Sequence, residues 1–293
     1  MEKLKGVFSA IVTPFKVGEV DYQSLEKLVA AQRAAGVDGF VVNGTTGENP
    51  TLRENEIKNI FNHLRKMDSK MTLIVGAGSN STEHALHLTK IAEELKADAA
   101  LSVVPYYNKP PQRGLLAHFK YIADRVNLPI LLYDVPGRTI TSFAPQTVGE
   151  LSQHKNIVGI KEASGKMDVL AEIKKNVNSD FVLLSGDDGT YLDFLKNGGH
   201  GVISVASHIL PREFVRWTKE AKNNHFHTSE EELKTLKPLI DLLFCEANPI
   251  PIKKAVQIMG LIESAELRLP LVELSNEWTE KLRMEMKKQG LIR

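Results

Sequence analysis

Short apolar runs recur along this chain one helix apart, and that alternation constrains the fold more than any other feature. Residues 7–13, 39–43, 72–76, 98–104, 129–133, 157–161, 181–184 and 201–205 are each brief and rich in β-branched or aliphatic side chains. Between and after them, residues 21–35, 53–67, 81–95, 114–126, 145–153, 167–176, 189–197 and 211–223 read as helices. Asp21 is suited to cap one of these helices and Asn80 or Ser81 another, Gly36 to stop the first, and Pro145 to occupy a first helical turn. Nearly continuous apolar strands separated by helices predict a parallel sheet covered on both faces. Eight such units in one run predict a closed (β/α)8 TIM barrel, an α/β fold, over residues 1–224. Past residue 224 the strands stop. Residues 229–244, 249–261 and 275–289 read as amphipathic helices, so 225–293 is expected to form a C-terminal helical domain that buries its apolar faces on the barrel or on another subunit.

The bulk properties exclude several classes of function. The 293 residues carry a net charge of +1, so no global field would recruit nucleic acid or an anionic membrane. Cys245 is the only cysteine and can close no internal disulfide, which points to a reducing compartment. The first residues, Met1-Glu-Lys-Leu-Lys-Gly6, form no signal-like apolar run, and no later stretch reaches the length of a membrane span; a cytoplasmic protein is the expectation. Gly76-Ala-Gly78 follows a strand without the third glycine of a dinucleotide site, and no glycine-rich loop ends in Gly-Lys-Ser/Thr. The histidine pairs His84/His87 and His225/His227 have no third ligand at recognisable spacing, so no catalytic metal is expected. Asp187-Asp188 could bind a cation, but a role at the opening of a helix is preferred.

In a (β/α)8 barrel, chemistry sits at the C-terminal ends of the strands. The sixth run, Ile157-Val-Gly-Ile-Lys161, ends in an amine. An ammonium is costly to bury unless it is paired or loses its proton, and a neutral lysine is a nucleophile able to form a Schiff base. Taken alone, Lys161 reads more readily as a side chain snorkelling to solvent; the neighbouring strand ends shift that balance. The other strand ends supply Asn43-Gly-Thr45-Thr46-Gly-Glu48, Tyr106-Tyr107, Tyr133-Asp-Val-Pro-Gly-Arg138-Thr and Ser185-Gly186-Asp187. Tyr133 could relay a proton. The hydroxyls of Thr45 and Thr46, with the backbone N–H groups of the Gly44-to-Gly47 turn where it enters a helix, could hold a carboxylate; Arg138 could clamp a second one. Each has a plainer reading: a core tyrosine, a tight turn, a solvated charge. Alternation along the strand places Ile157, Gly159 and Lys161 on one side, with Gly159 leaving space beneath the lysine.

These motifs resemble the dihydrodipicolinate synthase / N-acetylneuraminate lyase family. The resemblance is carried by Gly44-Thr-Thr-Gly-Glu48, Tyr133-Asp-Val-Pro-Gly-Arg138-Thr139, Gly159-Ile-Lys161-Glu162, Leu184-Ser-Gly-Asp-Asp188 and Gly198-Gly-His-Gly-Val-Ile-Ser204, and runs on through Asn248-Pro-Ile-Pro-Ile-Lys253 and Leu267-Arg-Leu-Pro270. It implies a pyruvate-dependent class I aldolase working without metal or organic cofactor, assembled as a homotetramer that is a dimer of dimers. By the same resemblance Lys161 is the Schiff-base lysine, and Thr45, Tyr133 and Tyr107 form the proton relay, Tyr107 reaching into the neighbouring subunit's site. Thr46 is the pyruvate-carboxylate contact, and Gly186 and Ile203 line the pocket. Arg138 points to the synthase branch, where an arginine in this loop meets the carboxylate of L-aspartate 4-semialdehyde; the sialic-acid lyases lack it. The other readings are a sugar-acid aldolase of the same family and a barrel that only binds a metabolite. Some members are inhibited by lysine at a subunit cleft. Asn80 and Tyr106 match that site's pattern, whereas His84 stands where sensitive enzymes carry a glutamate, and Asn49, Glu54 and Ile57 also depart from it. Weak or absent lysine inhibition is therefore expected.

Overall fold

The computed structural model describes all 293 residues. Its strands are β1 (Gly6–Ala10), β2 (Phe15–Lys16), β3 (Glu19–Val20), β4 (Gly39–Val42), β5 (Thr72–Gly76), β6 (Ala99–Val103), β7 (Ile130–Asp134), β8 (Ile157–Glu162), β9 (Val182–Ser185) and β10 (Gly201–Ser204). Eight of them form a closed barrel in the order β1-β10-β9-β8-β7-β6-β5-β4, and the expected eight apolar runs are those eight strands. The small antiparallel hairpin of β2 and β3 was not anticipated: two residues per strand carry no periodicity to read. No helix is long and apolar enough to cross a membrane.

Two compact units divide the chain. One comprises Met1–Gly6 and Thr72–Ile203. Within it β5 through β9 pair in parallel, and their residues are buried almost without exception, as strands covered on both faces must be. Its helices begin where local chemistry directs. Ser81 accepts the His84 N–H to open Thr82–Glu94, and proline occupies the first turn of Pro145–Leu151.

The other unit comprises Val7–Met71 and Ser204–Arg293. Here β1 pairs in parallel with β4, and Asp21 caps the helix Tyr22–Ala34 by accepting the Ser24 N–H at 3.0 Å. The helix Glu54–Met67 opens with the Glu56 carboxylate accepting the Arg53 N–H at 2.8 Å. The three C-terminal helices are His227–Leu242, Ile250–Ile258 and Asn276–Lys288. The last packs on both of the others, and Ile250–Ile258 also packs on the 3-10 turn Ala206–His208 that follows β10. Leu239, Ile252, Ala255, Val256, Leu282 and Met286 are their buried stripe.

Candidate active site

Strands β7 and β8 set two of the expected residues side by side. Their register pairs Tyr133 with Lys161, and the Lys161 Nζ lies 4.3 Å from the centre of the Tyr133 ring. Lys161 is only 6% exposed, so the snorkelling reading is overturned. Space for its stem comes from Gly186, just past β9. A Cβ built there would stand 2.7 Å from Lys161 Cε and 2.6 Å from Ala163 Cβ. The glycine is required by close approach, since its backbone lies outside the left-handed region.

The expectation for Gly159 is corrected. There is no space beneath the lysine there: a Cβ on Gly159 would meet Val182 O at 2.5 Å and Leu131 Cδ2 at 2.8 Å. The alternation breaks only before Gly159: β8 pairs Ile157 with Ile130 but Gly159 with Leu131, leaving Val158 as an extra residue, whereas from Gly159 to Lys161 the register is regular. Gly159 lets neighbouring strands pack closely, while Gly186 accommodates the amine's stem.

Each of the paired residues is followed by a buried carboxyl group, Asp134 after Tyr133 and Glu162 after Lys161, and these two are themselves register partners. The Asp134 Oδ2 accepts from Ser142 Oγ at 2.6 Å and from Phe143 N at 3.2 Å, which ties down both ends of the loop carrying Arg138. Burial raises the Asp134 carboxyl to a pKa of about 6 against the pull of those hydrogen bonds. Glu162 is raised too, first by burial and further by the Asp134 and Asp187 charges, while its Oε1 accepts the Ser164 N–H at 2.7 Å. Sequence reasoning assigned neither carboxyl a role; their signal was an acidic residue closing an apolar strand. Arg138 lies exposed in the short helix Pro136–Thr139. Asp187 holds the turn leading into Tyr191–Lys196, its Oδ1 accepting the Thr190 N–H at 2.9 Å, while the helix itself is entered at Thr190 without a side-chain cap.

In the other unit, β4 runs into the turn bearing Thr45 and Thr46. Two residues with positive φ, Asn43 (57°) and Glu48 (60°), bracket it. The turn does not enter an α-helix as expected. It leads into the 3-10 turn Asn49–Thr51, and the amides of Gly47, Glu48 and Asn49 are used within the turn on the carbonyls of Gly44 and Thr45. The Thr45 and Thr46 amides have no protein acceptor, so the anion-binding capacity lies in these two residues, not in a helix terminus. Thr46 Oγ1 accepts from Asn248 Nδ2 at 2.9 Å. Glu48 is wholly buried and ion-paired with Lys253 at 2.5 Å. Sequence reasoning gave Asn248 and Lys253 no function, because partners some 200 residues away leave no local signal.

The remaining residues are placed individually. Tyr107 is 88% exposed on the loop after β6 and has positive φ, with Tyr106 beside it partly exposed. The Asn108 Nδ2 of that loop donates to the Asn80 carbonyl at 2.8 Å. His84 is exposed on the first turn of Thr82–Glu94, its ring 6.3 Å from that of His87. Asn49 begins the 3-10 turn after Glu48, and Ile203 is buried within β10.

Comparison with known proteins covers the whole chain. The Dihydrodipicolinate synthetase family model matches residues 3–289. A relative from Bdellovibrio bacteriovorus, named 4-hydroxy-tetrahydrodipicolinate synthase, is 55% identical over all of both chains. The dihydrodipicolinate synthase structure from Thermotoga maritima superposes with a TM-score of 0.95 at 45% identity, covering 98% of this chain and 99% of that one. A chloride-inhibited synthase from Acinetobacter baumannii, complexed with pyruvate, gives 0.95 at 40% identity over 99% of this chain and 100% of the other. Matched from near its first residue to near its last, the chain belongs to the dihydrodipicolinate synthetase family.

Proposed function

We propose that this chain is a 4-hydroxy-tetrahydrodipicolinate synthase, condensing pyruvate with L-aspartate 4-semialdehyde through a Schiff base on Lys161. The observation that carries the assignment of the covalent centre is the buried Lys161 amine against the Tyr133 ring, its stem passing over Gly186. The substrates come from the named relatives and from the pyruvate bound by the Acinetobacter enzyme.

In the first step the neutral Lys161 amine adds to C2 of pyruvate, and water leaves as the imine forms. Loss of a proton from C3 gives the enamine. Its carbon attacks the aldehyde carbon of the second substrate, and the aldehyde oxygen takes up a proton. The amino group of that substrate then adds to the imine carbon, closing the ring and expelling the Lys161 amine. Tyr133 and Thr45 move the protons, joined by Tyr107 of a neighbouring subunit in a homotetramer; exposure of Tyr107 in the single chain suits such an outward reach. The Thr46 hydroxyl and its free amide hold the pyruvate carboxylate, with Gly186 and Ile203 as pocket walls. Arg138, on a loop pinned by Asp134, clamps the semialdehyde carboxylate.

Borohydride reduction with pyruvate, followed by peptide mass analysis, should place the adduct on Lys161; an unmodified lysine would favour a barrel that only binds metabolites. Turnover of N-acetylneuraminate instead of pyruvate plus semialdehyde would assign the chain to the lyase branch. Arg138→Ala should weaken the semialdehyde step at least tenfold while leaving pyruvate trapping intact. A monomer on sizing would remove Tyr107 from the relay. Lysine at sub-millimolar concentration should leave activity nearly unchanged, given His84 at the position expected to bear a carboxylate.

A further inference from the structure

The Thr45–Thr46 turn is held from behind by one short helix and the residues around it. Asn248 precedes the helix Ile250–Ile258, and its amide donates to Thr46 Oγ1 at 2.9 Å. Lys253, within that helix, is ion-paired with Glu48, two residues beyond Thr46. Both Glu48 oxygens are engaged, since the Arg268 N–H donates to Oε2 at 3.0 Å, and Lys253 also donates to the Glu266 carbonyl at 2.6 Å. Between these anchors Thr13 Oγ1 donates to the Gly47 carbonyl at 2.8 Å. Three consecutive residues, Thr46 to Glu48, are thus clamped, the last in a left-handed conformation that a side chain with Cβ adopts only under constraint.

A hydroxyl has one proton and can both accept and donate. Thr46 Oγ1 already accepts from an amide, and nearly all of Thr46 and Asn248 is buried. Its own proton is therefore directed away from Asn248, available to an acceptor such as a carboxylate. We propose that Asn248 is a positioning residue that fixes the Thr46 hydroxyl as a hydrogen-bond donor to the substrate carboxylate, with the Lys253–Glu48 pair holding the turn in place. This rests on the reading of Thr46 as the pyruvate-carboxylate contact.

The test uses full-length protein and the pyruvate concentration that gives half-maximal borohydride trapping on Lys161, alongside KM and kcat. Asn248→Ala should raise that concentration about tenfold with little loss of trapping at saturating pyruvate, the size expected for a misdirected charge-assisted bond. Asn248→Asp is the sharper variant. It keeps the volume but offers an acceptor in place of a donor, so it should draw the Thr46 proton away and weaken pyruvate binding at least as much as alanine does. Thr46→Val combined with Asn248→Ala should be no worse than Thr46→Val alone. Thermal melting confirms that each variant is folded, and Asn248→Ser replaces the alanine variant should that one fail to fold. Wild-type pyruvate dependence in Asn248→Asp, or effects that multiply in the double variant, would overturn the proposal. If Thr46→Val weakens pyruvate binding while both Asn248 variants do not, the carboxylate reading stands and the positioning role falls. If Thr46→Val itself has no effect, both fall.

Discussion

Gly186→Ala adds one methyl group against the stem of Lys161, and its effect can be worked from the contacts. The new Cβ would lie 2.7 Å from Lys161 Cε and 2.6 Å from Ala163 Cβ, with Ala163 Cα at 3.2 Å. Carbon–carbon contacts settle at about 3.5–4.0 Å, so each of the two closest pairs is about 1 Å too short. Ala163 cannot give way easily: its amide is bonded to the Asp134 carbonyl at 2.9 Å, and the Gly186 amide to the Glu162 carbonyl at 2.7 Å. The lysine stem is the flexible partner, so the amine moves by about 1 Å. A displacement of that size at a reacting atom costs about 100-fold in rate, or roughly 2.7 kcal/mol of barrier. Overpacking should also destabilise the fold by about 1–3 kcal/mol. The assay is the rate of borohydride trapping with pyruvate, followed by mass, with melting temperature as the fold control. Gly189→Ala serves as the comparison in the same loop: its Cβ would meet only Asp187 Oδ1, at an ordinary 3.6 Å, and should trap at close to the wild-type rate. Trapping by Gly186→Ala at the wild-type rate would show that the lysine does not depend on this glycine, and would refute the geometric reasoning.

Lys253→Met should lower stability by about 3–5 kcal/mol, on the order of 10 °C in melting temperature, because it strands the buried Glu48 carboxylate; adding Glu48→Leu should recover a large part of the loss. His208, which accepts the Val12 N–H on Nε2 at 3.1 Å, is wholly buried and its pKa is lowered to about 4, so the unfolded chain binds the extra proton first. Its stability contribution is complete above about pH 6.5 and is lost as pH falls towards 4, by up to about 3 kcal/mol, and His208→Gln should flatten the fall of the urea midpoint over that window. Asp134 has the opposite sign: with its carboxyl raised to about 6, its contribution is present below about pH 4 and is lost as pH rises through 6. Asp134→Asn should therefore match or exceed wild-type stability at pH 7.5 and lose that advantage by pH 4; equal stability differences at both pH values would contradict the raised carboxyl.

The barrel was legible because its strands are short β-branched runs and its helices carry their own boundary chemistry. Asp21 caps the helix it was expected to cap, and of the two candidates Asn80 and Ser81 it is Ser81 that caps the next; no long-range information was needed to see either. Lys161 was legible as an amine closing an apolar strand, though its burial, against the snorkelling reading, could be expected only from the neighbouring strand ends. What the sequence hid depends on contacts made in space. Gly159 and Gly186 look alike as residues near a lysine, and only the packing tells which one clears its stem. The extra residue at Val158 shifts the face of β8 without any compositional mark, since Ile157, Val158 and Ile160 are equally apolar. Lys253 and Lys254 are adjacent and chemically identical in the sequence. One is fully buried on Glu48, while the other reaches the largely exposed carboxylate of Glu273 at 2.9 Å.

The fold thus buries two lysines near aromatic rings, and their surroundings sort them by role. Lys253 Nζ lies 4.1 Å from the centre of the Phe15 ring and is met by the Glu48 carboxylate and the Glu266 carbonyl; burial pulls its pKa down to about 8, against the opposing effect of Glu48. Two of its hydrogens are committed to acceptors, and its charge balances a carboxylate that would otherwise be stranded. Lys161 Nζ lies at a similar distance from the Tyr133 ring, yet no carboxylate ion-pairs with it and no carbonyl accepts from it. A buried amine without a counter-charge has no ion pair to offset its desolvation, and the Tyr133 ring face is its one electrostatic partner. The same lack of a counter-charge leaves its lone pair accessible once the proton departs, which is the condition for attack on a carbonyl. Lys253 is therefore the lysine whose loss should be read in the melting curve, and Lys161 the one whose loss should be read in the chemistry.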